Sequence, residues 1–136
     1  MIDAVNVATQ SVAANAMAVF ANTRVCTGCS ARHEQGTGRF VLLKPGVYEI
    51  AFNGNVSLPT GAAVAPIILD ILQDGEVIAG SKMIFTPAAV STLGNVSATV
   101  LVRVYESCGC SSLGVRNSST QAISMQDANL VITRHC

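Results

Sequence analysis

The cysteines of this chain are the residues with the clearest capacity for chemistry. They form two close pairs, Cys26-x-x-Cys29 and Cys108-x-Cys110, and a single terminal residue in His135-Cys136. Four thiolates from two such pairs can bind Zn²⁺ tetrahedrally. Unreactive surface thiols and disulfides are the alternatives. Because the chain has five cysteines, at least one thiol is unpaired within a chain or paired between chains.

Other polar residues carry weaker chemical signals. His33-Glu34 follows Cys29 closely and could act as a base beside a nucleophile, but no orienting acid or oxyanion motif accompanies it. The scattered carboxylates are Asp70, Asp74, Glu76 and Asp127. Asp74 and Glu76 flank Gly75, which a hairpin turn explains. We therefore expect no catalytic residue and no cofactor, with a bound Zn²⁺ or Ca²⁺ ion as the weaker alternative.

The composition indicates one domain that buries much of its surface against other subunits. The chain has 136 residues, 8 basic and 8 acidic, and only 12% of its residues are charged whereas 50% are hydrophobic. So few charges would leave a small domain poorly soluble alone, which favours homo-oligomerisation. The balanced charge gives no indication of nucleic-acid binding. No apolar run is long enough for a transmembrane helix, and the first residues lack the basic region of a signal peptide.

The sequence patterns around these residues predict β-strands. Phe40 to Asn53 contains a turn, Lys44-Pro45-Gly46, followed by the period-2 alternation of a half-buried strand. A second alternating strand covers 95–105, and Asp74-Gly75 predicts a hairpin turn. Residues 1–15 are interpreted as an extended anchoring arm, with a short helix as the alternative, and a first strand is expected near 16–25. About eight to nine strands predict a β-sandwich or jelly roll over 16–136.

Two motifs point to a family. Gly38-Arg39-Phe40 and Pro45-Gly46-Val47-Tyr48-Glu49-Ile50-Ala51-Phe52 resemble the G-x-F…P-G-x-Y-x-F core of C1q-like domains, in the C1q/tumour-necrosis-factor jelly-roll superfamily. The closing strands at 113–119 and 127–134 resemble those of the bacterial and phage versions. This resemblance implies a jelly roll of about eight to ten antiparallel strands that assembles as a homotrimer.

The resemblance also suggests which residues face neighbouring subunits. In related domains, the strand at 46–56 and the strand at 95–105 belong to the inner sheet of the trimer. The interface candidates are Tyr48, Ile50, Phe52, Val102 and Tyr105, with packing in the chain's own core as the alternative.

The same strand order bears on the cysteines. It predicts that the loop with Cys26 and Cys29 lies at one pole and that Cys108, Cys110 and the C-terminus lie at the opposite pole. A site that joins both pairs is then disfavoured. The remaining metal candidates form a cluster at the second pole: Cys108, Cys110, His135 and Cys136.

The expected function is non-enzymatic, since no nucleophile–base set, phosphate loop or catalytic carboxylate pair is visible. The compact trimeric module fits a phage virion, as a capsid decoration, head fibre or tail-associated protein. Its arm would contact other virion proteins, and its distal loops would bind a host-surface glycan or protein; no membrane insertion is expected. The alternative is a bacterial cell-surface or spore-coat (exosporium-type) C1q-like module, against which the missing Gly-X-Y stalk argues.

Overall fold

Two antiparallel sheets pack face to face. The computed structural model describes residues 1–106 and 110–135. The strands are β1 (Ile2–Asn6), β2 (Gln10–Val12), β3 (Asn22–Cys26), β4 (Ala31–His33), β5 (Phe40–Leu42), β6 (Gly46–Ser57), β7 (Ile67–Gln73), β8 (Glu76–Val77), β9 (Met83–Phe85), β10 (Gly94–Val104), β11 (Ser111–Asn117) and β12 (Ile123–Arg134). The first sheet has the order β10-β6-β12-β1-β3, with β2 beside β12. The second has the order β4-β5-β11-β7-β8, with β9 beside β7. The predicted all-β class with two antiparallel sheets is confirmed.

The longest unbroken strand pair lies at one edge of the first sheet. β6 and β10 pair in unbroken antiparallel register from Gly46↔Val104 to Val56↔Gly94. On β10, Val96, Val100 and Val102 are buried while the residues between them are partly or fully exposed. The alternation predicted for 95–105 is therefore confirmed.

In the described residues, no helix is long and apolar enough to cross a membrane.

Aromatic side chains fill the space between the sheets. Phe20, Phe40 and Phe52 are at most 1% exposed, and Phe20 meets the other two rings edge-on at centroid distances of 5.4 and 6.3 Å. From the second sheet, β7 contributes Ile67, Leu69 and Ile71, all fully buried. Edge-to-face contacts of this kind add to the free energy gained from burying the apolar area itself.

The expectation of an anchoring arm at 1–15 is wrong. β1 is an interior strand of the first sheet, paired with β12 on one side and β3 on the other. Ile2 and Ala4 are completely buried and belong to the core. Backbone hydrogen bonds on both edges and a buried apolar face hold the segment in the sandwich, so the domain includes it.

The segment expected to be the first strand divides between the two sheets. Met17 forms an isolated bridge with Arg116 of β11, and Phe20 forms one with Thr37, whereas the regular strand β3 starts only at Asn22. Both β2 and β3 belong to the first sheet, so the chain between them pairs with the second sheet at Met17 and then returns, which a single strand over 16–25 could not do.

Candidate functional site

The two described cysteine loops lie at the same pole, which overturns their predicted separation. Cys26 is opposite Ile2 on β1, and Ile2 is opposite Ile132 near the end of β12. Because β1 is a sheet strand, β3 runs antiparallel to it and finishes beside the end of β12. In the second sheet, the Leu43 amide donates to the Ser30 carbonyl at 2.7 Å. This bond lies beside Leu42, which is paired with Ala31 of β4 on one side and with Ser111 of β11 on the other. Cys110 directly precedes Ser111, so it shares this pole.

The metal candidates do not form a cluster within the described residues. Cys110 borders the second sheet, whereas His135 follows β12 in the first and lies 2.8 Å from the Glu49 carboxylate through its Nε2 atom. Cys108 and Cys136 lie outside the described residues. No group of three or more His, Cys, Asp or Glu side chains in 1–106 and 110–135 is placed to hold a metal ion. Cys26, Cys29 and Cys110 are exposed and form no disulfide with one another.

His33 is a structural residue rather than part of a solvated turn. It ends β4, is 8% exposed, and stacks on Phe40 at a centroid distance of 4.3 Å. Its Nδ1 atom lies 2.8 Å from the Thr23 hydroxyl and its Nε2 atom 3.0 Å from the Thr37 carbonyl. Both ring nitrogens are therefore occupied, and the residue links strand β3 and the loop between β4 and β5 to the core.

The carboxylate of Asp74 is also committed to structure. It accepts hydrogen bonds from the Ser111 hydroxyl at 2.7 Å and from the Ser112 amide at 2.9 Å. These donors stabilise the ionised form and lower the pKa of Asp74 below its usual value of 3.8. Asp74 and Gly75 have φ of 52° and 85°, the left-handed pair that a tight hairpin turn requires, so the predicted turn is confirmed.

Four of the five interface candidates lie in the chain's own core. Tyr48, Ile50 and Phe52 are at most 1% exposed and Val102 is 5% exposed. Their side chains point between the two sheets and cannot reach a neighbouring subunit, so for these residues the core alternative is correct. Tyr105 differs, since it is 60% exposed and the Arg103 guanidinium lies 5.6 Å from its ring centroid.

The opposite side of the same strands forms a broad outward surface, exposed on β10 and mostly half-buried on β6 and β12, which we call the first-sheet face. It consists of the outward residues of β6, β10 and β12: Val47, Glu49, Ala51, Asn53, Asn95, Ser97, Thr99, Leu101, Arg103, Asn129, Val131 and Thr133. Only two of these carry a formal charge. The period-2 sequence pattern separated these residues from those on the Tyr48 side of the strand, but it did not show that they form the surface side.

The first-sheet face has an apolar part and an amide-rich part. Leu101 is 64% exposed. In the neighbouring set of paired residues, Ala51 of β6 lies between Thr99 of β10 and Val131 of β12. Further along, the Asn95 Nδ2 atom donates to the side-chain Oδ1 atom of Asn53 at 2.6 Å and to the Oδ1 atom of Asn55 at 3.0 Å. Small and neutral side chains of this kind allow another flat surface to approach closely without burying unpaired charge.

Comparison with known proteins identifies the architecture. No protein-family model and no curated protein matches the chain. Among solved structures, similarity extends to Eiger TNF from S. frugiperda (TM-score 0.71, 11% identity, 99% of this chain and 92% of that chain) and to murine APRIL at pH 5.0 (0.63, 8%, 95% and 97%). It also extends to the PRD1 vertex protein P5 (0.51, 16%, 99% and 97%). At such identities the likeness concerns the fold. The chain has a TNF/C1q-like jelly-roll fold.

Proposed function

We propose that this chain is a non-enzymatic module of a phage virion that assembles as a homotrimer through the first-sheet face. In this proposal it serves as a capsid decoration, head fibre or tail-associated protein, and the loops away from the particle contact the host surface. The observation that carries the proposal is the exposed, nearly uncharged face of a sheet whose other side is fully packed.

The first-sheet face has the properties of a surface that becomes buried. Leu101 is more exposed than most large apolar residues of the chain, and Val47 and Ala51 of β6 and Val131 of β12 add apolar side chains to the same face. Charged residues are depleted at protein interfaces, and on this face only Glu49, opposite Leu101 and 2.8 Å from His135, and Arg103 carry a charge. Homotrimer formation would remove this surface from water and explain how a domain with 12% charged residues stays in solution.

The non-enzymatic part of the proposal follows from the engagement of the polar side chains. His33 is held between Thr23 and Thr37, and Asp74 is held by two serines, so the groups that first suggested chemistry support loops instead. The virion part is supported by the similarity in fold to the PRD1 vertex protein P5 over nearly the whole of both chains.

Assembly is tested with a matched pair of charge insertions. Leu101→Glu places a carboxylate on the first-sheet face, whereas Ile84→Glu places one at a similarly exposed position (64% and 60%) on the second sheet. We expect light scattering to show a trimer for the unmodified chain and for Ile84→Glu, and a smaller species for Leu101→Glu. Equal masses for the two variants would contradict an interface at this face.

The biological setting is tested by composition. Mass spectrometry of purified phage particles from the source should detect this chain in stoichiometric amounts with the capsid proteins. Its presence in purified spores or cell-surface fractions, and not in particles, would instead support the bacterial surface alternative.

A further inference from the structure

A cavity of about 470 Å³ opens on the second sheet, on the opposite side of the sandwich from the first-sheet face. Its lining includes Met17, Leu72, Gly114, Arg39 and Arg116. The volume falls within the range of small-molecule sites, roughly 300–1,000 Å³. Neither the assembly proposed above nor the fold itself requires an opening here.

The cavity owes its apolar wall to a glycine. At Gly114 of β11 a Cβ atom would lie 2.1 Å from the Met17 Cε atom, so the absence of a side chain lets Met17 lie directly over the strand. Leu72, the residue opposite Gly114 on β7, is only 5% exposed and extends the same aliphatic surface. A ligand in this cavity would therefore place an aliphatic group against Met17 and Leu72.

Both charged residues of the lining are arginines. Two hydrogen bonds orient the Arg116 side chain. Its Nε atom donates to the Ser118 hydroxyl at 3.1 Å, and that hydroxyl donates to the Asp70 carboxylate at 2.5 Å. The Asp70 carboxylate lies 3.9 Å from the Arg116 Nη2 atom, too long for a hydrogen bond, so the ion pair leaves guanidinium donors unused. For Arg39, no side-chain partner occurs within the described part of the chain.

We propose that this cavity binds an organic carboxylate with an aliphatic body. The guanidinium groups of Arg39 and Arg116 hold the carboxylate, a pairing for which the planar fork of arginine is suited. Met17 and Leu72 contact the aliphatic group. A phosphate ester or a neutral sugar fits less well, because Met17 and Leu72 give the lining an aliphatic part. This site is independent of the proposed virion function.

The ligand chemistry is tested by calorimetric titration of the full chain with three probes. N-acetyl-L-leucine carries both the carboxylate and the aliphatic body. The amide of N-acetyl-L-leucine lacks the negative charge, and acetate lacks the aliphatic body. We expect N-acetyl-L-leucine to bind in the low millimolar range or tighter and both other probes to bind about tenfold more weakly or less. Equal binding of the acid and the amide, or no binding of the acid, would overturn the proposal.

The residues are tested with charge-removing variants. Arg39→Met and Arg116→Met should each weaken N-acetyl-L-leucine binding about tenfold. Arg32→Met removes the same charge from the same sheet outside the cavity and should leave the affinity unchanged. Since Arg39 is exposed and has no side-chain partner among residues 1–106 and 110–135, Arg39→Met keeps the test valid even if Arg116→Met unfolds the chain. Unchanged binding by Arg39→Met would refute the assignment.

A peptide probe distinguishes the two possible sources of such a carboxylate. If the natural ligand is a protein C-terminus, a short peptide that ends in leucine with a free carboxylate should bind at least as tightly as N-acetyl-L-leucine. If it is a free organic acid, the peptide should bind more weakly than N-acetyl-L-leucine. Failure of both probes would contradict the site itself, whatever the particle studies show.

Discussion

The side chain of Tyr48 offers a direct test of the packing described here. Its ring is completely buried, and its hydroxyl donates toward the Lys44 carbonyl at 2.6 Å and the Ser30 carbonyl at 3.1 Å. It thereby ties the Pro-Gly turn and the cysteine-containing loop to the core. Tyr48→Phe removes only the hydroxyl and keeps the ring, so any change in stability reports these hydrogen bonds.

The cost of Tyr48→Phe can be bounded from the contacts. The Ser30 carbonyl still accepts from the Leu43 amide at 2.7 Å, whereas the Lys44 carbonyl loses its 2.6 Å partner. Losing one such bond in a partly buried setting costs about 1–2 kcal/mol of unfolding free energy. With an unfolding entropy of about 2.1 cal/mol/K per residue, the melting temperature should fall by about 3–7 °C.

The matched control is Tyr105→Phe, because Tyr105 is 60% exposed. Its unfolding free energy should change by less than about 0.5 kcal/mol. Urea unfolding followed by circular dichroism, at one protein concentration for all variants, measures both changes. Light scattering should show that Tyr48→Phe keeps the oligomeric state of the unmodified chain. Equal stability of the two variants would refute the hydrogen bonds of the Tyr48 hydroxyl, and a change in assembly without a change in stability would refute the core placement of Tyr48.

Three further substitutions test other parts of the structure. Gly38→Ala would bring a Cβ atom to 2.2 Å from the Ala18 carbonyl oxygen, so denaturant unfolding should show a loss of about 1–3 kcal/mol, and full stability would contradict this close approach. His33→Ala removes the ring stacked on Phe40 and should cost about 2–4 kcal/mol in the same assay; a loss below about 0.5 kcal/mol would mean that the ring is not packed as described. The lowered pKa of Asp74 means that its carboxylate stabilises the fold above its unfolded pKa and loses this effect as the pH falls through its folded pKa. Asp74→Asn should therefore reduce stability at pH 7 and flatten the decline below about pH 4, and parallel pH curves for the two proteins would argue against this role.

Local patterns carried much of the fold prediction. The alternation at 95–105 depends only on the two-residue period of a strand, and Asp74-Gly75 depends only on the backbone preferences of a tight turn, so both could be read from the sequence. The Tyr48 motif pointed to a TNF/C1q-like jelly roll, which is the fold that the structural comparisons show.

Long-range pairing was the part that the sequence did not specify. Whether Ile2 and Ala4 lie in an arm or in a sheet depends on partners more than a hundred residues away in β12. That one misassignment also reversed the direction expected for β3 and placed Cys26 at the wrong pole. Similarly, the alternation around Tyr48 separated two faces of β6 but could not tell which one meets the second sheet.

The mass of the unmodified chain in solution shows whether it assembles as a trimer. Light scattering over a dilution series into the low micromolar range should give the mass of three chains of 14.0 kDa each. A monomer of 14.0 kDa throughout that range would contradict assembly through the first-sheet face, and with it the proposed trimeric virion module.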